Sequence, residues 1–261
     1  MSDFDRQGWQ IFAPEPVVED WVQHALPAVR SALEDPALDH WYECERTWFV
    51  GLDALPNDAE GRVLDGPPLT GAVVDFVTRA CGGWPRLHAA QISGVFEGYP
   101  QPRDGESDAA FRYRRNRDAA HVDGVLGEGT PKRRFVREPH AFILGLPLTP
   151  ASPQAAPLVV WEGSHKIMQA AFSEVFADVP ADAMGLCDVT DAYVAARRRV
   201  FETCNRVAVC VPPGGAMVLH RMALHGVAPF APAGRTAPEG RLIAYFRPPM
   251  PGGVAAWLAA P

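Results

Sequence analysis

No stretch of this sequence approaches the ~18 uninterrupted apolar residues that a membrane-spanning helix needs. Its opening, MSDFDRQGWQIF, lacks a basic region followed by an apolar run, so no signal peptide is expected. Positive charge is short: 24 Lys and Arg against 31 Asp and Glu give a formal net charge of −7, which argues against nucleic-acid or anionic-membrane partners. The five cysteines (Cys44, Cys81, Cys187, Cys204, Cys210) are odd in number and form no CxxC pair. They argue against a disulfide framework or a cysteine zinc site, and reduced thiols in a cytoplasmic protein are the expectation. Internal repeats and low-complexity segments are missing. So is the βαβα rhythm of a doubly wound parallel sheet.

Proline and glycine, by contrast, are abundant. Together they make 49 of 261 residues, well above the roughly 12% usual in soluble proteins. That excess implies many turns and disfavours a helical bundle, while 48% hydrophobic residues suffice for one large core.

Helical spacing appears in PEPVVEDWVQHALPAVRSALEDP (14–36), where Val18, Trp21, Val22, Ala25 and Val29 share a face and Pro27 predicts a kink. A second helix is predicted over 67–83, ended by Gly82-Gly83, with others over much of 164–177 and about 189–202. Short β-like runs lie between: RTWFVGL, LHAAQISGVFEG, HAFILGLPL, PLVVW, RVAVCVP, GAMVLHRMAL and RLIAYFRPP. Helices first, then mostly strands with two helical insertions, predicts a mainly β fold with flanking helices. We expect a jelly roll forming one domain over 1–261, with residues 1–85 a mainly helical part packed on it. GYPQPRDGESDAAFRYRRNRD (98–118) reads as a long polar loop of the kind that forms lids or binding loops.

The chemistry concentrates in AHVDG (120–124). On a strand, residues i and i+2 point the same way, so His121 and Asp123 can aim at one point. A His–Asp pair joined by one distant His, leaving the other metal positions open, is the ligand set of non-haem Fe(II) oxygenases. His140, His165, His220 and His225 are candidates for the third ligand. His140 reads better as a strand-edge residue, and spacing alone does not separate His220 from His225 in PPGGAMVLHRMALHGVAPF.

Over nearly its whole length the sequence resembles the phytanoyl-CoA dioxygenase family of Fe(II)/2-oxoglutarate oxygenases. The resemblance runs through FDRQGWQIF, HVDG, PLVVWEGSHK, PPGGAMVLHRMALHGVAPF and GRLIAYFRPP, in that order. It implies a cupin-like double-stranded β-helix and a metal triad of His121, Asp123 and His225, with no other catalytic group required. It further implies Fe(II), 2-oxoglutarate and O₂ as cofactor and cosubstrates. Arg241, at the start of RLIAYF, would hold the far carboxylate of 2-oxoglutarate, as guanidinium forks do well, with Arg235 as the rival. Gln91 matches a polar position that contacts 2-oxoglutarate in some relatives, a glutamine bonding a neighbouring strand being the plain alternative. His165 would be structural at a helix start, with Ser164 as its cap.

The sequence departs from the family at Gly215, Val227 and Phe230, where acidic or polar residues are usual, which thins the expected bonds to 2-oxoglutarate. Related halogenases lack the carboxylate, so Asp123 implies hydroxylation or a related oxidation. Two basic clusters bracket the HxD: Arg112, Arg114, Arg115 and Arg117 before it, and Lys132, Arg133, Arg134 and Arg137 after it. Arg112, Arg114 and Arg117 are the candidates for binding a small, possibly anionic substrate, and two solvated loops are the plain alternative. Two other functions stay open: a cupin-like metalloenzyme that does not use 2-oxoglutarate, and a non-catalytic jelly-roll binding protein.

Overall fold

Residues 3–260 are described by a computed structural model of the chain. The chain begins with α1 (Asp3–Gln7), β1 (Trp9–Phe12), α2 (Pro16–Glu34), β2 (Tyr42–Glu43), β3 (Trp48–Phe49), α3 (Ala72–Cys81) and β4 (Gln91–Val95). Then come α4 (Asp108–Asn116), β5 (Val125–Glu128), β6 (Arg133–Val136), β7 (Phe142–Pro147), β8 (Leu158–Trp161), α5 (Ser164–Phe176) and α6 (Thr190–Thr203). The last elements are β9 (Arg206–Val209), β10 (Ala216–His220), β11 (His225–Val227), β12 (Arg241–Phe246) and α7 (Gly253–Ala259). Among the described residues, no helix is long and apolar enough to cross a membrane.

Every strand pairing is antiparallel. A seven-stranded sheet has the order β1-β10-β7-β12-β4-β3-β2, and a smaller one has β11-β8-β9. The two face each other, and helices cover their outer faces. Strand alternation accounts for this layering. Leu242, Ala244 and Phe246 of β12 join Leu144, Leu146 and Val218 in a core under α2 and α3. Ile243 and Tyr245 turn the other way, toward Ile143, Met217, Leu219, Leu158 and Val160, in the space between the sheets. Val159 and Trp161 of β8 pack outward under α5, α6 and α7. Because both faces are buried, the strands read as continuous apolar runs and the alternation is hidden in the sequence.

The helices sit close to their predicted places, with instructive differences. α2 runs unbroken through Pro27, and the first 85 residues also supply three strands, of which β1 pairs with β10. The 98–118 segment is not all loop. Ser107 Oγ accepts a hydrogen bond from Ala110 N and starts α4, whose arginine-rich sequence lacks the apolar periodicity that would announce a helix. Ser164 does not cap α5: Gly163 holds that position, and Ser164 Oγ instead accepts a hydrogen bond from Leu224 N at 2.9 Å, tying the helix to the turn before His225.

Trp21 anchors the larger helical layer. It is 1% exposed, packs on Phe246 with ring centroids 6.0 Å apart, and donates from Nε1 to Gly61 O at 2.6 Å. Trp21→Ala should therefore lower unfolding free energy by about 3–5 kcal/mol, measured as a shifted midpoint in denaturant titration.

Candidate metal centre

The site begins in the backbone. His121 N donates to His225 O at 2.9 Å and His225 N returns the bond to His121 O at 3.0 Å, an isolated antiparallel bridge. His225 is at the same time paired with Val160 of β8, so His121 is in effect laid along the edge of the smaller sheet. Asp123 is not on the strand that the HxD spacing predicts; it sits in the turn just beyond. Two glycines permit this. A Cβ on Gly124, at φ +76°, would come within 1.9 Å of Glu138 O, and one on Gly226 within 2.1 Å of Asp118 O. The approach is fastened by Val227 N donating to Asp118 O and by the Asp118 carboxylate, which takes two bonds from Arg206 at 2.7 and 2.8 Å.

The side chains then converge. One ligand atom from each of His121, Asp123 and His225 lies within 4.8 Å of the others. Asp123 Oδ1 is 3.0 Å from His121 Nε2 and 3.6 Å from His225 Nε2, while Oδ2 lies 3.6 Å from Arg247 Nη1. Each imidazole donates from Nδ1 to a backbone carbonyl two residues back, Ala119 O and Ala223 O, both at 3.0 Å. That bond fixes the tautomer and leaves Nε2 as the lone-pair atom facing the carboxylate, the usual preparation of a metal-ligating histidine. Burial pushes His225 down to about 4, so it is neutral near pH 7. Burial alone would raise Asp123, but His225, His121 and Arg247 outweigh it and hold the carboxyl far below the usual range.

Three cavities meet here. The inner one, about 180 Å³, runs between the sheets and is lined by the triad, Gln91, Ser93, Tyr245 and Arg247 among apolar side chains. A second, about 370 Å³, lies against His121 and is lined by aromatic and arginine residues of α4, α6 and β6. A wide basin of about 720 Å³ opens past His88, Glu138 and His140.

Of the residues singled out in the sequence, Gln91 shares the inner cavity with the triad. His220 faces the opposite side of the large sheet, against His165 at 4.7 Å between ring centroids, so His225 alone completes the cluster. Arg241 is 6% exposed, on the inward face of β12, and its Nη1 has no hydrogen-bond partner. It lies four residues from Tyr245 along that face and lines a separate cavity beyond the inner one. Arg235 is exposed and donates to carbonyls of its own loop, Pro232 O and Gly234 O. Arg117 lines the cavity beside His121. Arg114 lines it too, but its guanidinium is bonded to Glu106 at 2.9 and 2.7 Å and to Gln101 O. Arg112 is exposed and lines none of the three cavities.

Sequence reasoning missed Arg247 and Tyr245, although period two from Arg241 along RLIAYFR reaches both. It also missed Trp48, Tyr193 and Arg197, whose place beside the site depends on tertiary packing.

No protein-family model and no curated protein matches the chain. Among solved structures it is similar to the non-heme alpha ketoglutarate dependent carbocyclase SnoK from nogalamycin biosynthesis: 16% identity, TM-score 0.53, covering 94% of this chain and 81% of that one. It is also similar to the epimerase SnoN in complex with Fe3+, alpha ketoglutarate and nogalamycin RO: 11% identity, TM-score 0.50, covering 98% and 86%. At these identities the likeness establishes the fold, a double-stranded β-helix.

Two outcomes follow from the geometry. Gly226→Ala should cost about 1–3 kcal/mol by forcing the chain off Asp118 O, and should weaken divalent-metal binding as well, read by thermal melting and metal titration. The bond from Arg114 holds the Glu106 carboxyl at about 2, against an ordinary value of 4.5. The stability this pair contributes is complete above about pH 4.5 and is lost as pH falls toward 2. Glu106→Gln should therefore flatten the stability profile across that window.

Proposed function

We propose that this chain is an Fe(II)- and 2-oxoglutarate-dependent oxygenase, related to the phytanoyl-CoA dioxygenase family, that hydroxylates a small organic substrate. One observation carries the reading: two imidazoles, each with Nδ1 committed to a backbone carbonyl, present Nε2 to the same carboxylate oxygen. At 3.0 Å, His121 Nε2 and Asp123 Oδ1 need a cation between them, a proton or a metal ion. A divalent cation takes that place with no rearrangement of the hydrogen bonds behind it. Three ligands on one side leave other positions open, as Fe(II) oxygenases require.

Bound iron with 2-oxoglutarate and O₂ would supply a two-electron oxidation of a C–H bond, coupled to decarboxylation of the cosubstrate. The protein's share is to bind, orient and exclude water. Arg247 engages Asp123 Oδ2 and leaves Oδ1 for the metal, so the carboxylate would ligate through one oxygen. Ile143, Leu158 and Leu219 make the inner cavity largely apolar, and Gln91 and Ser93 offer polar contacts on its β4 wall. We assign the far carboxylate of 2-oxoglutarate to Arg241, because a buried guanidinium N–H without an acceptor is costly and a carboxylate relieves it. Asp123 fills the position that a halide would need, which favours hydroxylation.

The test is anaerobic addition of Fe(II) and then 2-oxoglutarate, which should produce a metal-to-ligand charge-transfer band. Arg241→Ala should weaken 2-oxoglutarate about a hundredfold while sparing iron, and Arg235→Ala should change little. Iron binding with no such band would favour the cupin-like metalloenzyme. Binding of neither would leave a jelly-roll binding protein.

A further inference from the structure

The cavity beside His121 has an unusual charge balance for a chain of net charge −7. Five arginines line it. Two are matched by carboxylates: Arg103 by Glu43 at 2.9 Å, and Arg114 by Glu106. The other three, Arg117, Arg134 and Arg197, form no ion pair with any described carboxylate. They lie instead against aromatic rings: Arg117 on Phe201 at 4.5 Å, Arg134 on Tyr193 at 4.9 Å, and Arg197 on Tyr193 at 5.4 Å.

A guanidinium held by its flat face keeps its N–H groups free at the edges, where oxyanions bind. Their side chains keep donors over: Arg134 gives one to Val125 O at 3.3 Å and Arg197 one to the Tyr113 hydroxyl at 3.4 Å. A second, independent feature lies in the same wall. Tyr193 is fully buried, and its hydroxyl has no hydrogen-bond partner. Such a group normally costs stability unless something fills the gap.

We infer that this cavity binds the acidic group of the substrate, a phosphate or carboxylate, between Arg117, Arg134, Arg197 and the Tyr193 hydroxyl. The inference rests on the oxygenase reading only in calling that ligand the substrate. Its volume of about 370 Å³ lies at the small end of ligand pockets, and it shares Trp48, His121 and Val227 with the inner cavity. An acid anchored at the arginines would thus present the rest of its skeleton toward His121. Arg114, by contrast, serves as a brace for the segment before α4, and Arg112 takes no part.

Calorimetric titration with phenyl phosphate and benzoate, with benzyl alcohol as the neutral counterpart, tests this directly. One or both anions should bind, more weakly as salt rises, and benzyl alcohol should not bind at the same concentrations. Whichever anion is tighter identifies the acid. Arg134→Met with Arg197→Met should weaken that anion about tenfold or more, Arg134→Lys with Arg197→Lys less, and Tyr193→Phe severalfold, all with the iron and 2-oxoglutarate charge-transfer band unchanged. The lysine pair and Tyr193→Phe keep the test decisive if the methionine pair fails to fold. Equal binding of benzyl alcohol, no anion binding up to about 10 mM, or variants that bind like wild type would overturn the assignment. A missing charge-transfer band beside normal anion binding would overturn the oxygenase reading and leave the anion site standing.

Discussion

Two backbone hydrogen bonds between His121 and His225 set the place where the imidazoles and the Asp123 carboxylate come together. They join a segment that is otherwise turn and loop to the edge of the smaller sheet, and they do so at the two residues whose side chains meet. Everything nearby serves that approach. Gly124 and Gly226 give up their side chains to it, Asp118 and Arg206 clamp the incoming strand, and Ser164 holds the turn that delivers His225. An imidazole carried on a bridge is positioned by the sheet, with far less freedom than one on a mobile loop.

Charge is arranged around this point in zones. The centre holds one carboxylate and two imidazoles, and its inner cavity is lined mostly by apolar side chains. Arg247 and Arg241 stand at opposite ends of one strand face, the first against Asp123, and each keeps a buried N–H without a partner. Further cations line the adjoining cavity on α4, α6 and β6, outside the barrel interior. Net negative charge over the chain therefore says little about the field within the site.

The fold class was legible because glycine and proline bounded short apolar runs and because helical periodicity was strong in α2 and α3. Which face of each strand looked inward was not legible, since helices bury the outer faces and erase the alternation. Within the site, AHVDG and LHG carried local signals, a spacing of two between His121 and Asp123 and a glycine after Asp123 and after His225. The choice between His220 and His225 came from family resemblance; in the fold they lie on opposite sides of the large sheet. α4 was hidden by its polarity. Arg197 and Tyr193 could not be seen from sequence because tertiary packing, of α6 on α5 and against β6, brings them to the site.

The layering carries a consequence for how such a site can change. The largest apolar clusters lie outside the two sheets, beneath α2 and α3 on one side and beneath α5, α6 and α7 on the other. The cluster between the sheets is smaller and is interrupted by cavities. Most of the cohesion of the fold thus comes from apolar surfaces set apart from the His121, Asp123 and His225 cluster. Exchanging a half-buried side chain at a cavity wall, such as Trp48 or Gln91, leaves both outer clusters and the two glycines of the site in place. The architecture separates the surfaces that keep the chain folded from the walls of its cavities, so the two can vary independently.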